Sequence, residues 1–174
     1  MSIILEMEAK PFAVGVRIQH IQEMINNSKY GTFSKLLPPT SYKLMHKASN
    51  GRGVYTFCMC PGGYVVNSSC EEGHLIVNGM SNYEREGENA NTAVVVTVGP
   101  NDYGQNPLDG VEYQRRLEAL EYRKGNGNIP VQLWKDYKNN TISDKFLSIK
   151  PQFKGKYSFA NLNEIFFRII LMIL

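Results

Sequence analysis

Cysteine is scarce in this chain. Three thiols in 174 residues do not make a disulfide framework, and an odd count leaves one thiol unpaired whatever the connectivity. The expectation is a reducing compartment, and with it a cytoplasmic protein. Long apolar runs are missing too, since no stretch approaches the ~20 apolar residues of a membrane span. The closing IFFRIILMIL is short and is interrupted by Arg168. Residues Met1 to Lys10 carry Glu6, Glu8 and a three-residue apolar run, so the basic and apolar regions of a signal peptide are absent. The sequons at Asn26, Asn67 and Asn139 are then incidental. Charge of one sign is lacking as well: 19 basic against 16 acidic residues leave +3. Nucleic acid is therefore not an expected partner. Arg115 and Arg116 are expected on the solvated face of a helix, and Lys150, Lys154 and Lys156 in a surface connection.

Several catalytic signatures are missing. No G-x-G-x-x-G stands between a strand and a helix; the nearest run, GNGNIP from Gly125, follows a helical pattern rather than preceding one. There is no P-loop, nucleophile elbow or zincin motif. No repeat or low-complexity tract is visible.

What is present is the composition of one ordinary folded domain, 43% hydrophobic. PFAVGVRIQH reads as a strand with Val14, Val16 and Ile18 inward, followed by a short polar helix from about Ile21 to Asn27 that stops near Gly31. Strand-like segments follow at SYKLMHKA, GVYTFCMC, GYVVNSS, HLIVNG and TAVVVTVG. The last is almost continuously apolar, as a strand buried on both faces should be, and is expected in mid-sheet. After Pro107, Asp109 can cap a helix with Glu112 three residues on, and Tyr113, Leu117 and Leu120 form its stripe down to Gly125. A final helix begins near FANLNEIF. Helices follow strands rather than alternating with them, so the expected class is α+β, a mixed or antiparallel sheet with flanking helices.

The stretch from Gly51 to Met80 is the most informative. Period-two alternation would send Val54, Thr56, Cys58 and Cys60 to one face of a strand, with Tyr55, Phe57 and Met59 on the other. The two thiols would be same-face neighbours. Pro61, Gly62 and Gly63 then allow a tight reversal into a return strand at Tyr64, and they offer bare backbone to a ligand. Two readings stand side by side: a buried hairpin with thiols as small hydrophobes, or a binding turn. Cys58, Cys60, Cys70 and His74 could be gathered as zinc ligands. Against that, sulfurs ~7 Å apart on an extended Cys-x-Cys strand do not share one ion. A nucleophile pair of Cys58 with His20 or His46 cannot be read from spacing.

The segments KPFAVGVRIQH, GRGVYTFCMCPGGYVVNSS, HLIVNGMS, NANTAVVVTV, GVEYQRRLEALEY, KPQFKGKY and FANLNEIF resemble the uncharacterised bacterial FAD-dependent dehydrogenases, NAD(FAD)-utilising flavoproteins. The resemblance runs from about Met7 to Phe166. It implies the inserted substrate domain of a Rossmann-like FAD-binding protein. Residues 1–20 would be a remnant strand of the FAD domain, 21–160 the substrate domain and 161–174 a truncated tail. The family continues after NEIF with a proline and a polar helix, whereas this chain reads FRIILMIL, as a truncated or frameshifted frame would. A fragment of an FAD-dependent oxidoreductase acting on a small molecule is thus expected. A folded remnant or binding module, zinc-binding included, is the alternative, and the oligomeric state is left open.

By the same resemblance the Cys58 to Tyr64 turn would face the isoalloxazine ring. Cys58, Cys60 and Arg52 are then the candidate catalytic residues. Gly62, Gly63, Arg17, Asn78 and Asn91 are the candidate FAD-binding residues. Bare amides at the glycines and neutral amides at the asparagines would meet ring carbonyls, and the arginines would balance anionic charge. For each arginine the competing reading is an ordinary ion pair, and for each asparagine a turn.

Overall fold

The computed structural model describes residues 6–170, with side chains to Phe166. Four strands form an antiparallel sheet: β1 (Phe12–Ile21), β2 (Met45–Lys47), β3 (Gly53–Cys60) and β6 (Asn89–Val98), in the order β1-β6-β3-β2. The fold is α+β, and β6 lies inside the sheet, as its apolar run requires. β1 pairs with β6 along its whole length, from Phe12 opposite Val98 to Ile21 opposite Asn89.

Residues directly opposite share a face, so register alone sorts the two sides of this sheet. One side carries Val14, Val16, Val54, Val94 and Val96. It packs on Leu117 and Leu120 of α3 (Asp109–Lys124) and on Ile165 and Phe166 of α5 (Asn163–Ile170). Each such side chain contributes about 1.5–3 kcal/mol on leaving water, and this layer is the core. The other side carries Gly15, Arg17, Gln19, Asn89, Asn91, Ala93, Val95, Tyr55 and Phe57.

A second sheet, β5-β4-β8, joins β4 (Gly63–Asn67) antiparallel to β5 (Val77–Ser81) and parallel to β8 (Phe153–Lys154). β3 and β4 therefore do not form the hairpin that the Pro-Gly-Gly turn suggested. Pro61 and Gly62 carry the chain from one sheet into the other, and each strand finds its partner elsewhere. Of the three lysines expected in a surface connection, Lys154 lies in β8, with its Nζ 4.4 Å above the Tyr64 ring, while Lys150 and Lys156 lie outside the strands. A third, parallel pair joins β7 (Ile129–Val131) to β9 (Tyr157–Phe159).

The remaining helices are α1 (Gln22–Tyr30), α2 (Pro100–Tyr103) and α4 (Trp134–Lys138). α1 ends at Gly31, whose φ of +56° suits glycine. α3 ends at Gly125 as expected, but Leu108 occupies its N-cap position. Asp109 instead accepts the Asn106 backbone N–H at 2.9 Å, tying the preceding turn rather than the helix. Arg115 is not merely solvated: it pairs with Glu71 and Glu112, both at 3.0 Å, and so fastens the β4–β5 loop to α3. Among the described residues no helix is long and apolar enough to cross a membrane.

Candidate functional site

The site begins with a defect in β3. Phe57 stands opposite Ala93, but Cys60 stands opposite Asn91, so three steps along β3 match two along β6. The extra residue makes a β-bulge, and Cys58 takes φ +49°, a conformation uncommon outside glycine. The expected alternation breaks there. Cys58 is exposed while Cys60 is buried, so the thiols are not same-face neighbours on a regular strand. The Cys60 thiol instead points back to the Cys58 carbonyl, Sγ to O 3.5 Å. Burial is the main cause pushing the Cys60 thiol pKa up. The Cys58 sulfur adds to it, and Arg17 pulls the other way.

Arg17 binds this bulge to two other strands. Its Nη1 donates to the Cys58 carbonyl at 3.0 Å and to Asn91 Oδ1 at 2.6 Å, and its Nη2 donates to Asn78 Oδ1 at 3.3 Å. Four of the expected residues, from β1, β3, β5 and β6, thus meet at one guanidinium. Gly79 makes the approach possible, because a Cβ there would fall on the Arg17 guanidinium and on Asn91 Oδ1. Asn91 is fully buried, and its Nδ2 has no hydrogen-bond partner among the described residues.

The charge balance at Arg17 is unusual. The oxygens it bonds are all neutral, and no carboxylate pairs with it among the described residues. A guanidinium has five N–H donors; the oxygens of Cys58, Asn91 and Asn78 take three, and the Cys60 thiol also lies against the group. Beside it the sheet floor is shallow. Ala93 lies between Arg17 on β1 and Phe57 on β3, and Gly15 is in the next row with Tyr55. Phe57 and Met45 stand out from this face, 64% and 86% exposed.

Arg52 is not part of the cluster. It precedes β3 and lies about 20 Å from Cys58 at ~3.3 Å per strand residue. There it forms a two-pronged pair with Asp102, Nη1 to Oδ2 2.8 Å and Nη2 to Oδ1 2.5 Å, and also donates to the Thr97 carbonyl at 3.0 Å. The hydrogen bonding from Arg52 holds the Asp102 carboxyl below its usual range. A cleft of about 750 Å³ opens beside it, but Arg52 and Asp102 are its only charged lining residues and they neutralise each other.

Gly62 and Gly63 also have their close approaches inside the protein. The Gly62 N–H is taken by Gln22 Oε1 at 2.9 Å, and its carbonyl by the Gly87 N–H at 3.0 Å. At φ +50° a Cβ on Gly62 would strike the Arg85 carbonyl. A Cβ on Gly63 would come within 2.8 Å of Ser81 Oγ and 3.1 Å of Cys60 Cβ. The bare backbone serves the joint between the two sheets. Among the described residues no group of three or more His, Cys, Asp or Glu side chains converges for a metal. The Cys58, Cys60, Cys70 and His74 grouping does not form.

Sequence reasoning missed an amide layer between the sheets. Gln19 Oε1 accepts the Gln152 N–H at 2.8 Å, Gln152 Oε1 accepts the Asn89 N–H at 2.9 Å, and Asn89 Nδ2 donates to the Lys150 carbonyl at 2.7 Å. The available signal was the polar NAN that opens an otherwise apolar strand.

The class so defined is an α+β domain whose second sheet covers a polar corner with an unneutralised arginine. The chain belongs to the family of FAD-dependent proteins, C-terminal domain-like, whose model matches residues 11–174. It is also 45% identical over 166 residues to a protein of Clostridium beijerinckii described as uncharacterized. That alignment covers 92% of this chain and 31% of the relative, so the chain spans about a third of the relative's length.

Proposed function

We propose that this chain is the substrate-side part of an FAD-dependent oxidoreductase and that the Arg17 corner recognises an anionic or carbonyl-rich planar group, the flavin ring or its substrate. The observation that carries this is the half-buried guanidinium with neutral partners only. Burying a charge without a counter-charge is costly, and a ligand anion would offset that cost. Family membership supports FAD as the cofactor.

The residues present fit such a group. The Arg17 guanidinium is a charged donor group, the small Ala93 separates it from Phe57 across the sheet, and Tyr55 stands on the same face in the next row. A bound flavin supplies hydride or electron-pair transfer. The protein's part is to hold position and charge. Asn78 and Asn91 fix the guanidinium plane, and the Cys58 carbonyl sets its height over the sheet. We assign Gly62 and Gly63 to the joint beneath the site rather than to ring contact, and Arg52 to its ion pair with Asp102.

Titration of the chain with FAD, followed by flavin fluorescence, tests this reading. Weak, salt-sensitive quenching is expected, reduced at least about five-fold in affinity by Arg17→Gln, a loss of roughly 1 kcal/mol, and unchanged by Arg52→Gln. Equal behaviour of the two variants, or no quenching by the parent chain, would remove the site from Arg17.

A further inference from the structure

The bulge does for the two thiols what a regular strand cannot. On a regular strand, residues two apart stand about 7 Å apart with parallel side chains, whereas a disulfide needs Cβ atoms ~3.5–4.5 Å apart. Here the left-handed turn at Cys58 bends the strand. The extra residue between Phe57 and Cys60 draws the Cys60 sulfur back to 3.5 Å from the Cys58 carbonyl, near enough to the Cys58 sulfur for that sulfur to help push the Cys60 thiol pKa up. Access is graded, with Cys58 exposed and Cys60 buried behind it. Arg17 stands beside both, donating to the Cys58 carbonyl. We infer that Cys58 and Cys60 form a thiol–disulfide exchange couple that takes small-molecule disulfides as its oxidant, with Cys58 as the attacking thiol and Cys60 as the resolving one.

The chemistry balances in two steps. The Cys58 thiol gives up its proton, and its sulfur bonds to one sulfur of the small disulfide, breaking that S–S bond and releasing the first small thiol. The Cys60 thiol then gives up its proton, and its sulfur attacks the Cys58 sulfur of the mixed disulfide. The second small thiol leaves, and the Cys58–Cys60 bond remains. Overall two protein thiols are oxidised, one disulfide is reduced to two thiols, and both protons go to the leaving thiolates. Access dictates the order, since an incoming disulfide meets the exposed sulfur first. This inference does not rest on flavin binding.

The experiment uses the whole chain with oxidised glutathione as the probe, quenched by alkylation and read by peptide mass. The parent should show a Cys58–Cys60 bridge with Cys70 still alkylated or singly glutathionylated. Cys60→Ser should retain glutathione on Cys58, clearing it at least about ten-fold more slowly than the parent, because the internal thiol acts at a high effective concentration. Glutathione persisting on Cys58 in the parent, or a bridge from either thiol to Cys70, would overturn the assignment. The parent's peptide map is decisive alone should Cys60→Ser fail to fold.

Discussion

A guanidinium half out of water must find compensation, and Arg17 finds only neutral oxygens. Its neighbour Gly79 controls whether it can stay. In Gly79→Ala the new Cβ meets the movable end of Arg17 and the fixed amide of Asn91, so the arginine is the group that yields. The expected stability loss is about 1–3 kcal/mol, while flavin quenching falls as far as in Arg17→Gln. Urea midpoints and fluorescence titration on the same variant read the two effects separately. Gly62→Ala should behave in the opposite way. Its obstacle is the Arg85 carbonyl, and its φ of +50° disfavours any side chain. A loss of about 2 kcal/mol or more in urea denaturation is expected; an unchanged midpoint would mean that the joint between the sheets can open at no cost.

At the scale of elements, two carboxyl groups give pH effects of opposite sign. Glu121 on α3 is pushed up to about 8, chiefly by burial and then by Glu118. A carboxyl raised in the fold stabilises it fully below its unfolded pKa, and that contribution is lost as pH rises through the folded value. Between about pH 4.5 and 8 this group should cost up to about 1.4 kcal/mol per pH unit. Glu121→Gln should therefore raise the thermal midpoint at pH 8 and flatten its decline; an unaltered slope would place the proton elsewhere. Asp102, held low by Arg52, contributes stability above its unfolded pKa that disappears as pH falls through the folded value. Asp102→Asn should then lower the midpoint at pH 7 and converge with the parent in acid. The elements themselves were largely legible in the sequence, because β6 is almost continuously apolar from Ala93 to Val98 and because Gly31 and Gly125 stop their helices. The Cys58 bulge was not. Cysteine has no left-handed preference, and Arg17, which holds this backbone, is 41 residues away in sequence. The amide layer was hidden for the same reason, with Gln19 and Gln152 separated by 133 positions. Alternation predicts which face a side chain takes, but not which distant polar group will be waiting there.

At the scale of the whole molecule, the sheet has one face sealed by α3 and α5 and another that stays partly open. Ile165 and Phe166 are 5% exposed and close the sealed face, so Ile165→Ala should cost about 2–5 kcal/mol. On the open face Arg17 stands on one edge strand, Phe57 on β3 and Met45 on the opposite edge strand; under the proposed reading this face would give a flavin ring contacts and a charge but would give its pyrophosphate no glycine-rich cradle. Such cradles use a glycine-rich turn at the N-terminus of a helix, and this chain has no G-x-G-x-x-G. The diphosphate and adenosine halves of FAD would then remain unheld, and ring contacts alone give an affinity that dialysis defeats. We expect the chain, loaded with excess FAD and dialysed exhaustively, to emerge colourless even though the same chain quenches flavin fluorescence in titration. Stoichiometric absorbance near the flavin maximum after dialysis would show that the described residues hold the pyrophosphate by some other backbone nest, and that the Arg17 corner is only one end of a complete cofactor site.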